Sequence, residues 1–259
     1  MLESLYIAST GMHAEQTHLN AISNNLANLN TTAYKKSSVH FSDLLYIDNY
    51  QSSSHLSQTL GSVKRGLGTS VAAMNKDFSI GDLKGTGNPM HLAIRGQGFF
   101  EVDVGNGTSA YTRNGNFKID EEGFIATVDG FRLMPNIQIP PDATEVVITK
   151  NGVVQAQLQE GDDLMELGQI ELANFVNVTG LEPLGNGLYG ETDASGVPGF
   201  TKPNEFGVGD LAQGYLEASN VDLVTELLEL VIAQRGYEVN SQVIRATDEM
   251  LKIGNNLRS

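Results

Sequence analysis

The chain has 259 residues, of which 40% are hydrophobic and 18% charged, so it is long enough to bury a core and disorder throughout is excluded. Its formal net charge of −15, from 16 Lys and Arg against 31 Asp and Glu, repels nucleic acid and anionic lipid surfaces. The absence of cysteine excludes disulfides, thiolate metal sites and a cysteine nucleophile. We therefore expect a folded protein without a nucleic-acid partner.

The first residues carry none of the features of a cleaved leader. Between Met1 and Leu5 there is an acid and no basic residue, and no small-residue cleavage site follows an apolar run. No apolar run reaches the roughly 18 residues needed to span a bilayer. We therefore expect no membrane insertion, and any export route leaves the N-terminus uncut.

The N-terminal segment, residues 2–29, has the pattern of an amphipathic helix without proline. Apolar residues recur there at every seventh position, namely at Leu5, Met12, Leu19 and Leu26. A second series lies three residues further along each heptad, as in a coiled coil, at Ala8, Ile22 and Leu29, and Glu15 interrupts it. A surface helix on a globular core gives the same local pattern, so this segment alone leaves both interpretations open.

The C-terminal segment predicts a second helix, of about 35 residues or roughly 50 Å. Ser219 can serve as its N-cap with Asp222 three residues on, and Gly254 is the first residue to break the pattern. Two apolar series about 100° apart follow this helix. One contains Leu223, Leu230, Tyr237, Ile244 and Leu251, and the other contains Ile232, Gly236, Val239, Val243, Ala246, Met250, Ile253 and Leu257. A stripe this wide needs neighbours on more than one side, which other copies of the chain can supply.

The middle of the chain alternates short β-rich stretches with turn signals. The stretches are Phe99 to Val104, Ala110 to Arg113, Phe117 to Ile119, Phe124 to Val128 and Val146 to Thr149. The turns between and after them are Gly105-Asn106-Gly107, Asn114-Gly115, a turn ending at Gly123, Asp129-Gly130 and Asn151-Gly152. This pattern predicts a meander of hairpins. Residues 50–68 are polar and glycine-containing, and they predict a linker or an extended loop.

Residues suited to chemistry do not form a recognisable site. His13 and His18 are five positions apart and do not share a helix face, and the other histidines stand singly. The glycine pairs around Leu67 and Gln97 do not continue into a phosphate-binding loop. The acidic clusters at 120–122 and 162–163 lack the spacing of a calcium loop. We expect no catalytic, cofactor-binding or metal-binding residues, although a carboxylate pair hidden in the β fold leaves a secreted glycan-binding protein or enzyme as an alternative.

Several motifs carry a resemblance to a known family. Residues 22–35, ISNNLANLNTTAYK, with Gly11-Met12 upstream, closely resemble the N-terminal signature of the bacterial flagellar axial proteins, which build the rod and hook. Residues 93–100 and 110–115 resemble that family's GQGFF and YTRxG motifs, and residues 213–221 resemble its QGxLExSNV motif. Residues 234–241 are similar to its QRAYExNS segment, with Gly236 where Ala is usual. That glycine weakens the helix by up to about 1 kcal/mol unless a close contact offsets it.

The patterns and the resemblance together predict an α+β fold, in which long N- and C-terminal helices form a coiled-coil-like core domain and a β-rich middle domain consists of hairpins. Residues 1–35 and 215–259 make the helical polymerisation domain, 36–80 the linker and 81–214 the outer domain. The predicted subunit-interface residues are Leu5, Met12, Leu19, Ile22, Asn24, Asn25, Leu26, Asn28, Leu223, Leu230, Tyr237, Val243, Ile244, Met250 and Leu251.

The resemblance implies a structural subunit and not an enzyme. Such subunits are exported by the flagellar type III apparatus without a cleaved signal, and they polymerise in the periplasm into a hollow shaft that carries torque from motor to hook. The implied partners are other copies of the chain, other rod proteins, the hook protein, the P- and L-ring proteins or their equivalents, and the export apparatus, with no cofactor. Length and motif set favour the distal-rod branch, and the alternative is the other mid-sized rod protein, at the junction of the proximal and distal rod.

Overall fold

A computed structural model describes residues 2–44, 46–48, 64–105, 107–158 and 164–256. The chain forms two compact units. As far as they are described, the first comprises Met1–Ala27, Ser37–Lys76 and Asp222–Ser259, and the second comprises Asn28–Lys36 and Asp77–Val221. The first unit is thus assembled from three separate stretches of sequence. The division into a polymerisation domain, a linker and an outer domain stays a prediction.

The first unit contains two helices and four strands among its described residues. They are α1 (Leu2–Ala27), β1 (Ser37–Asp43), β2 (Tyr46–Asp48), β3 (Lys64–Gly66), β4 (Thr69–Lys76) and α2 (Leu223–Asn256). Strands β1 and β4 pair antiparallel, with a bulge between His40 and Phe41, and β2 pairs antiparallel with β3. Most of the linker predicted at residues 50–68 lies outside the described residues.

Local hydrogen bonds explain where the two helices begin and end. After α1 ends at Ala27, the Thr31 N–H donates to the Asn28 carbonyl at 3.1 Å in a turn. At the start of α2, the Asp222 Oδ1 accepts the Thr225 N–H at 2.8 Å, so the N-cap is Asp222 and the prediction of Ser219 was wrong. Helix α2 continues for 34 residues and passes through the predicted stop at residue 254.

The prediction of a coiled-coil-like core is wrong. Helices α1 and α2 do pack on each other. However, apart from Ile22, their buried positions hold small side chains, at Ala8, Ala14, Ala21 and Ala233, and polar ones, at Asn25, Glu226 and Thr247. A coiled coil needs large apolar side chains at the a and d positions. Much of the predicted seam of α2 is instead 37–57% exposed, at Leu223, Tyr237, Val243 and Met250. What the chain does contain is one helix near each end and a β-rich middle of several sheets.

The second unit is built from sixteen described strands and one short 3₁₀ helix, Val178–Gly180. The strands are β5 (Leu83–Gly85), β6 (Leu92–Arg95), β7 (Phe99–Asp103), β8 (Ser109–Thr112), β9 (Phe117–Ile119), β10 (Ile125–Thr127), β11 (Arg132–Leu133), β12 (Ala143–Ile148), β13 (Val153–Leu158), β14 (Leu164–Gln169), β15 (Leu172–Asn174), β16 (Glu182–Gly185), β17 (Leu188–Gly190), β18 (Gly199–Thr201), β19 (Asp210–Gln213) and β20 (Tyr215–Glu217). The largest sheet has nine strands, seven of which run in the order β16-β17-β8-β7-β11-β10-β9. The other two are β15, which pairs with β7, and β18, which pairs with β15. Three further sheets are β12-β13-β14, β19-β6 and β20-β5.

The predicted meander is confirmed in part. Strand β7 pairs with β8, β9 with β10, β10 with β11 and β12 with β13, all antiparallel. At Asn114-Gly115, however, the predicted hairpin is wrong, because β8 pairs with β7 and β17 and not with β9. There the Gly115 carbonyl accepts the Leu92 N–H at 3.0 Å, and a Cβ at residue 115 would overlap the Leu92 carbonyl. Glycine is needed at this position for a close backbone crossing and not for a hairpin turn.

Two apolar clusters form the core of this unit. The larger is built around Phe100, which is fully buried and contacts Phe117 edge-to-face with ring centroids 5.1 Å apart. The smaller includes Phe99, Tyr111 and Tyr189. Burial is the main reason that the pKa of the Tyr189 hydroxyl is raised to about 12. Aromatic pairs of this geometry stabilise a core beyond the area they bury.

Candidate subunit interface

Helix α2 exposes apolar side chains along most of its length, most densely over its first ten residues. Its exposed apolar residues, each 37–69% accessible, are Leu223, Val224, Leu227, Leu228, Val231, Ile232, Tyr237, Val239, Val243, Met250 and Ile253. The same helix buries Glu226 and Thr247, which are 1% and 6% exposed. A surface helix of a monomeric protein has the opposite arrangement, with polar residues outside and apolar residues inside. A contiguous exposed apolar patch marks a surface that binds another molecule.

The predicted interface residues divide between the interior of the unit and its surface. On α1 and just after it, Ile22 and Asn25 are buried, Asn24 is exposed, and Leu5, Met12, Leu19, Leu26 and Asn28 are half-buried. On α2, four predicted residues are exposed, namely Leu223, Tyr237, Val243 and Met250, while Leu230, Ile244 and Leu251 are half-buried. The role of this set in subunit contacts stays a prediction.

Sequence reasoning missed the densest part of the exposed face, at Val224, Leu227, Leu228 and Val231. The signal was present as apolar pairs repeated every four residues, at 223–224, 227–228 and 231–232. A spacing of four residues keeps successive pairs on one side of a helix. A search for a seven-residue repeat divides these pairs between different series, and their common face is lost.

A polar contact joins three elements inside the same unit. The Asn25 amide donates to the Glu226 Oε2 at 3.1 Å and to the Ser37 carbonyl at 3.0 Å, and its Oδ1 accepts the Ser37 N–H at 2.9 Å. Asn25 lies on α1, Glu226 on α2 and Ser37 at the start of β1. Because buried polar groups are costly unless they are paired, this contact determines how the three elements pack.

Substitution of Gly236 tests whether α1 and α2 need a small residue where they contact each other. A Cβ at this position would lie 2.8 Å from the Glu15 Oε1, the mobile end of a side chain that is 30% exposed. Because that carboxylate can rotate away, we expect Gly236→Ala to raise the free energy of unfolding by up to about 1 kcal/mol, the helix-propensity gain. Urea denaturation of the purified protein measures the change.

Gly254→Ala is the matched control, because Gly254 lies in the same helix and a Cβ added there would have nothing within 4 Å. We expect a smaller gain there because the last turn of a helix frays. If Gly236→Ala destabilises the protein while Gly254→Ala does not, the Glu15 carboxylate is held rigidly and the expectation for Gly236 is wrong.

The second unit contains a buried ionic cluster. The Lys35 Nζ lies 2.6 Å from the Glu217 Oε1, and the Arg113 Nε lies 3.4 Å from the Glu217 Oε2. All three side chains are buried, with exposures of 0–3%. Burial lowers the pKa of Lys35, although the Glu217 carboxylate opposes that shift, and burial also lowers the pKa of Arg113. The cluster is closed to solvent, so its charges pair with one another and with backbone groups.

Backbone groups complete this cluster. Lys35 also donates to the Ser79 carbonyl at 2.6 Å, and the Gly81 N–H donates to the Glu217 Oε1 at 3.0 Å. Arg113 donates to the carbonyls of Gly96 and Gly98, each at 2.8 Å. The Glu217 Oε2 has no hydrogen bond within the described chain, so its contact with Arg113 is an ion pair at longer range.

Asn220 extends the same arrangement. Its Oδ1 accepts the Lys36 N–H at 2.8 Å, and its amide donates to the Asp77 carbonyl at 2.8 Å and to the Ser79 Oγ at 3.0 Å. Asn220 and the ionic cluster thus hold residues 35–36, 77–81 and 217–220 together within the second unit. Among the described residues there is neither a helix able to cross a membrane nor a group of three or more potential metal ligands.

Comparison with known proteins agrees with these features along the whole chain. The family described as "Flagella basal body rod protein" matches residues 5–35, "Flagellar hook protein FlgE/F/G D1 domain" matches residues 93–156, and "Flagellar basal body rod FlgEFG protein C-terminal" matches residues 212–257. The flagellar basal-body rod protein FlgG of Agrobacterium fabrum is 42% identical to the chain, covering 97% of this chain and 98% of the relative. The chain belongs to the FlgG family of flagellar basal-body rod proteins.

Relatives in two further bacteria extend this comparison. The FlgG protein of Bacillus subtilis is 40% identical over 97% of both chains, and that of Borreliella burgdorferi is 38% identical over 100% of this chain and 99% of the relative. The three ranges that match flagellar families each contribute a residue to the buried ionic cluster, namely Lys35, Arg113 and Glu217. In this FlgG-family chain, segments far apart in sequence therefore meet at one buried site.

Proposed function

We propose that this chain is a structural subunit of the bacterial flagellar basal-body distal rod, polymerising into a hollow helical drive shaft that transmits torque from motor to hook. The observation that carries the proposal is the exposed apolar face of α2, which a single chain leaves in contact with water. Membership of the FlgG family supports the identity of the assembly. Torque transmission requires rigid contacts between subunits and no chemistry, so the proposal includes that the chain is not an enzyme.

The proposal assigns a role to each part of the chain. Residues 1–35 and 215–259 form the polymerisation domain, 36–80 the linker and 81–214 the outer domain. The partners are other copies of the chain, other rod proteins, the hook protein, the ring proteins around the rod and the flagellar export apparatus. The subunit reaches the periplasm through that apparatus without cleavage of its N-terminus.

The energetics of the α2 face favour assembly. Full burial of a Val, Leu or Ile side chain stabilises by about 1.5–3 kcal/mol, so burying the remaining half of such a side chain contributes roughly 1 kcal/mol. The exposed apolar residues of α2 together can therefore offset an association cost on the order of 4–15 kcal/mol. Because the face runs along most of the helix, neighbours on more than one side are needed to cover it.

Val231→Glu tests the proposal at the centre of this face. Val231 is 53% exposed, so we expect the variant to fold with an unchanged unfolding transition. A charge buried between subunits is strongly unfavourable, so we expect it to remain monomeric at concentrations where the unmodified chain forms tubes. Electron microscopy of the purified proteins, with sedimentation to quantify the polymer, measures the difference.

Asn136→Asp is the control for added charge, because Asn136 is an exposed polar residue of the second unit, outside α2, and the change adds the same charge. We expect this variant to form tubes. If the unmodified chain forms no tubes under any condition, or if both variants assemble equally well, the proposal fails. A truncation of α2 has to end after Val221, because Glu217 and Asn220 belong to the packing of the second unit.

A further inference from the structure

The turn at Glu205–Val208 presents an aromatic side chain to solvent. The Val208 N–H donates to the Glu205 carbonyl at 3.0 Å, and the two central residues, Phe206 and Gly207, have φ angles of 48° and 82°. Positive φ at both central positions defines a turn that favours Asn, Asp and Gly, and a bulky L side chain rarely adopts it. Phe206 is also 91% exposed. Neither its backbone conformation nor its exposure stabilises a single chain.

A groove elsewhere in the same unit has the complementary character. It has a volume of about 830 Å³, within the range of roughly 300–1,000 Å³ that is typical of binding pockets. Its described lining includes the apolar residues Met90, Ile119, Ile139 and Pro140. Ile119 is 44% exposed, so apolar surface of the groove is accessible to a side chain from another molecule. We propose that the Phe206 side chain of one copy of the chain inserts into this groove on the next copy.

The groove and the Phe206 turn lie at opposite ends of one β ladder. Strands β6 and β19 pair from Leu92↔Gln213 to Arg95↔Asp210. The groove adjoins the first end, where the Gln213 amide donates to the Pro89 carbonyl at 2.9 Å. The turn adjoins the second end, where the Gly209 N–H donates to the Gln97 carbonyl at 2.8 Å. The three residue steps of this ladder span roughly 10 Å. Phe206 is absent from the groove lining and 91% exposed, so a chain does not fill its own groove.

Charge favours the same pairing. The groove lining includes Glu121 and Glu145, which have no ion pair with any described residue. Beside the turn, Lys202 and Lys150 are exposed and likewise unpaired within the described chain, and Glu205 is the one acid of residues 202–207. The loop of Lys150 is adjacent because its carbonyl accepts the Leu211 N–H at 3.1 Å. Two exposed lysines near the turn therefore complement the two unpaired acids of the groove, on a chain whose net charge is −15.

The contact is heterologous, since two different surfaces meet, and such contacts propagate into open helical polymers when they do not close into a ring. The inference rests on the proposed polymer and names a contact within it, made by the second unit and separate from the α2 face. It also gives a role to a phenylalanine in a turn that asparagine or glycine would occupy without strain.

Engineered cysteines test the contact, because the chain contains no cysteine of its own. Phe206→Cys is mixed with Ile119→Cys in the full-length chain, oxidised, and analysed on non-reducing gels. We expect a covalent dimer that neither variant forms alone. Val176→Cys replaces Ile119→Cys in the control, because Val176 is 97% exposed and apolar but lies outside the groove lining. Equal crosslinking to position 176, or none to position 119, overturns the inference.

Phe206→Asn provides the second measurement, since asparagine tolerates the left-handed conformation and the variant is expected to keep its melting temperature. We expect the critical concentration for tube formation to rise about tenfold, the effect of losing a central aromatic contact. Tubes at an unchanged critical concentration overturn the inference and leave the rod-subunit function standing. Specific crosslinking at positions 206 and 119 without tubes of the unmodified chain supports the contact and contradicts the rod-subunit function.

Discussion

Glu217→Gln is expected to lower the free energy of unfolding by about 3–5 kcal/mol, the usual cost of removing one partner from a buried ion pair. The Glu217 carboxylate is the anion that contacts both buried cations, Lys35 and Arg113. Glutamine preserves the shape of the side chain and an oxygen that can accept the Gly81 N–H. The decrease in the free energy of unfolding therefore measures the effect of removing the charge and not the effect of a cavity. Chemical denaturation at neutral pH measures it.

The size of this loss depends on pH in a predictable direction. The pKa of Lys35 in the folded chain is already below 10.5 because of burial, and the Glu217 carboxylate is the main influence that opposes the shift. Between the folded pKa and 10.5 the unfolded chain binds more protons, so the free energy of unfolding rises with pH through this window. We expect the deficit of Glu217→Gln to be largest at neutral pH and to shrink as pH rises towards 10.5.

Two control variants show whether the loss of stability in Glu217→Gln comes from the buried charges. Arg235→Gln breaks an ion pair with Glu238 in which both side chains are more than half exposed, so its cost is expected to stay below about 1 kcal/mol. Lys35→Met combined with Glu217→Gln removes one charge of each sign, and we expect it to recover part of the loss. A Glu217→Gln variant as stable as Arg235→Gln would show that the buried cluster does not depend on the charge of Glu217.

Phe100→Ala is expected to lower the free energy of unfolding by about 3–5 kcal/mol, through lost burial and the cavity left behind. Phe100 is fully buried at the centre of the larger core cluster, and its ring contacts Phe117. Strand β7 carries it in the middle of the largest sheet, between β8 and β11, with β15 also paired to it. The surroundings therefore cannot collapse without disturbing several strand pairs, and thermal or urea unfolding measures the loss.

Phe200→Ala is the matched control for this change. Phe200 lies on β18, which pairs with β15 in the same sheet, but its side chain is 45% exposed. The same atoms are removed from a position that already contacts water, so we expect less than half the cost of Phe100→Ala. Similar losses for both variants would mean that the side chain of Phe200 packs more closely than its exposure indicates.

The flagellar motifs acquire a physical meaning in the folded chain. Lys35 ends the N-terminal signature, Arg113 is the arginine of YTRxG, and Glu217 is the glutamate of QGxLExSNV. The carbonyls of Gly96 and Gly98, in the GQGFF motif, accept hydrogen bonds from Arg113. Four motifs that are separated in sequence thus build one buried cluster. Their residue types follow from the need to pair every charge and backbone group removed from water.

The sequence by itself determined the helices at the two ends, the β-rich middle and the family, because these depend on local periodicity, turn residues and short motifs. The hairpins at Asp129-Gly130 and Asn151-Gly152 were predictable for the same reason. The failure at Asn114-Gly115 had a cause outside the local sequence, since Gly115 is needed for contact with Leu92, more than twenty residues away.

Only the tertiary structure decided which face of each helix is inside. Both faces of α2 carry residues suited to burial. Counting heptads predicted that a seam of mainly leucine residues is buried, whereas the structure buries Glu226, Ala233 and Thr247. The reason is that these side chains find partners inside, since the Asn25 amide donates to the Glu226 carboxylate and the Thr247 hydroxyl donates to the Val243 carbonyl of its own helix. Many large apolar residues of α2 remain exposed. The sequence predicted self-assembly from amphipathic helices at both ends, and in the structure the surface that supports this prediction is chiefly the exposed side of α2.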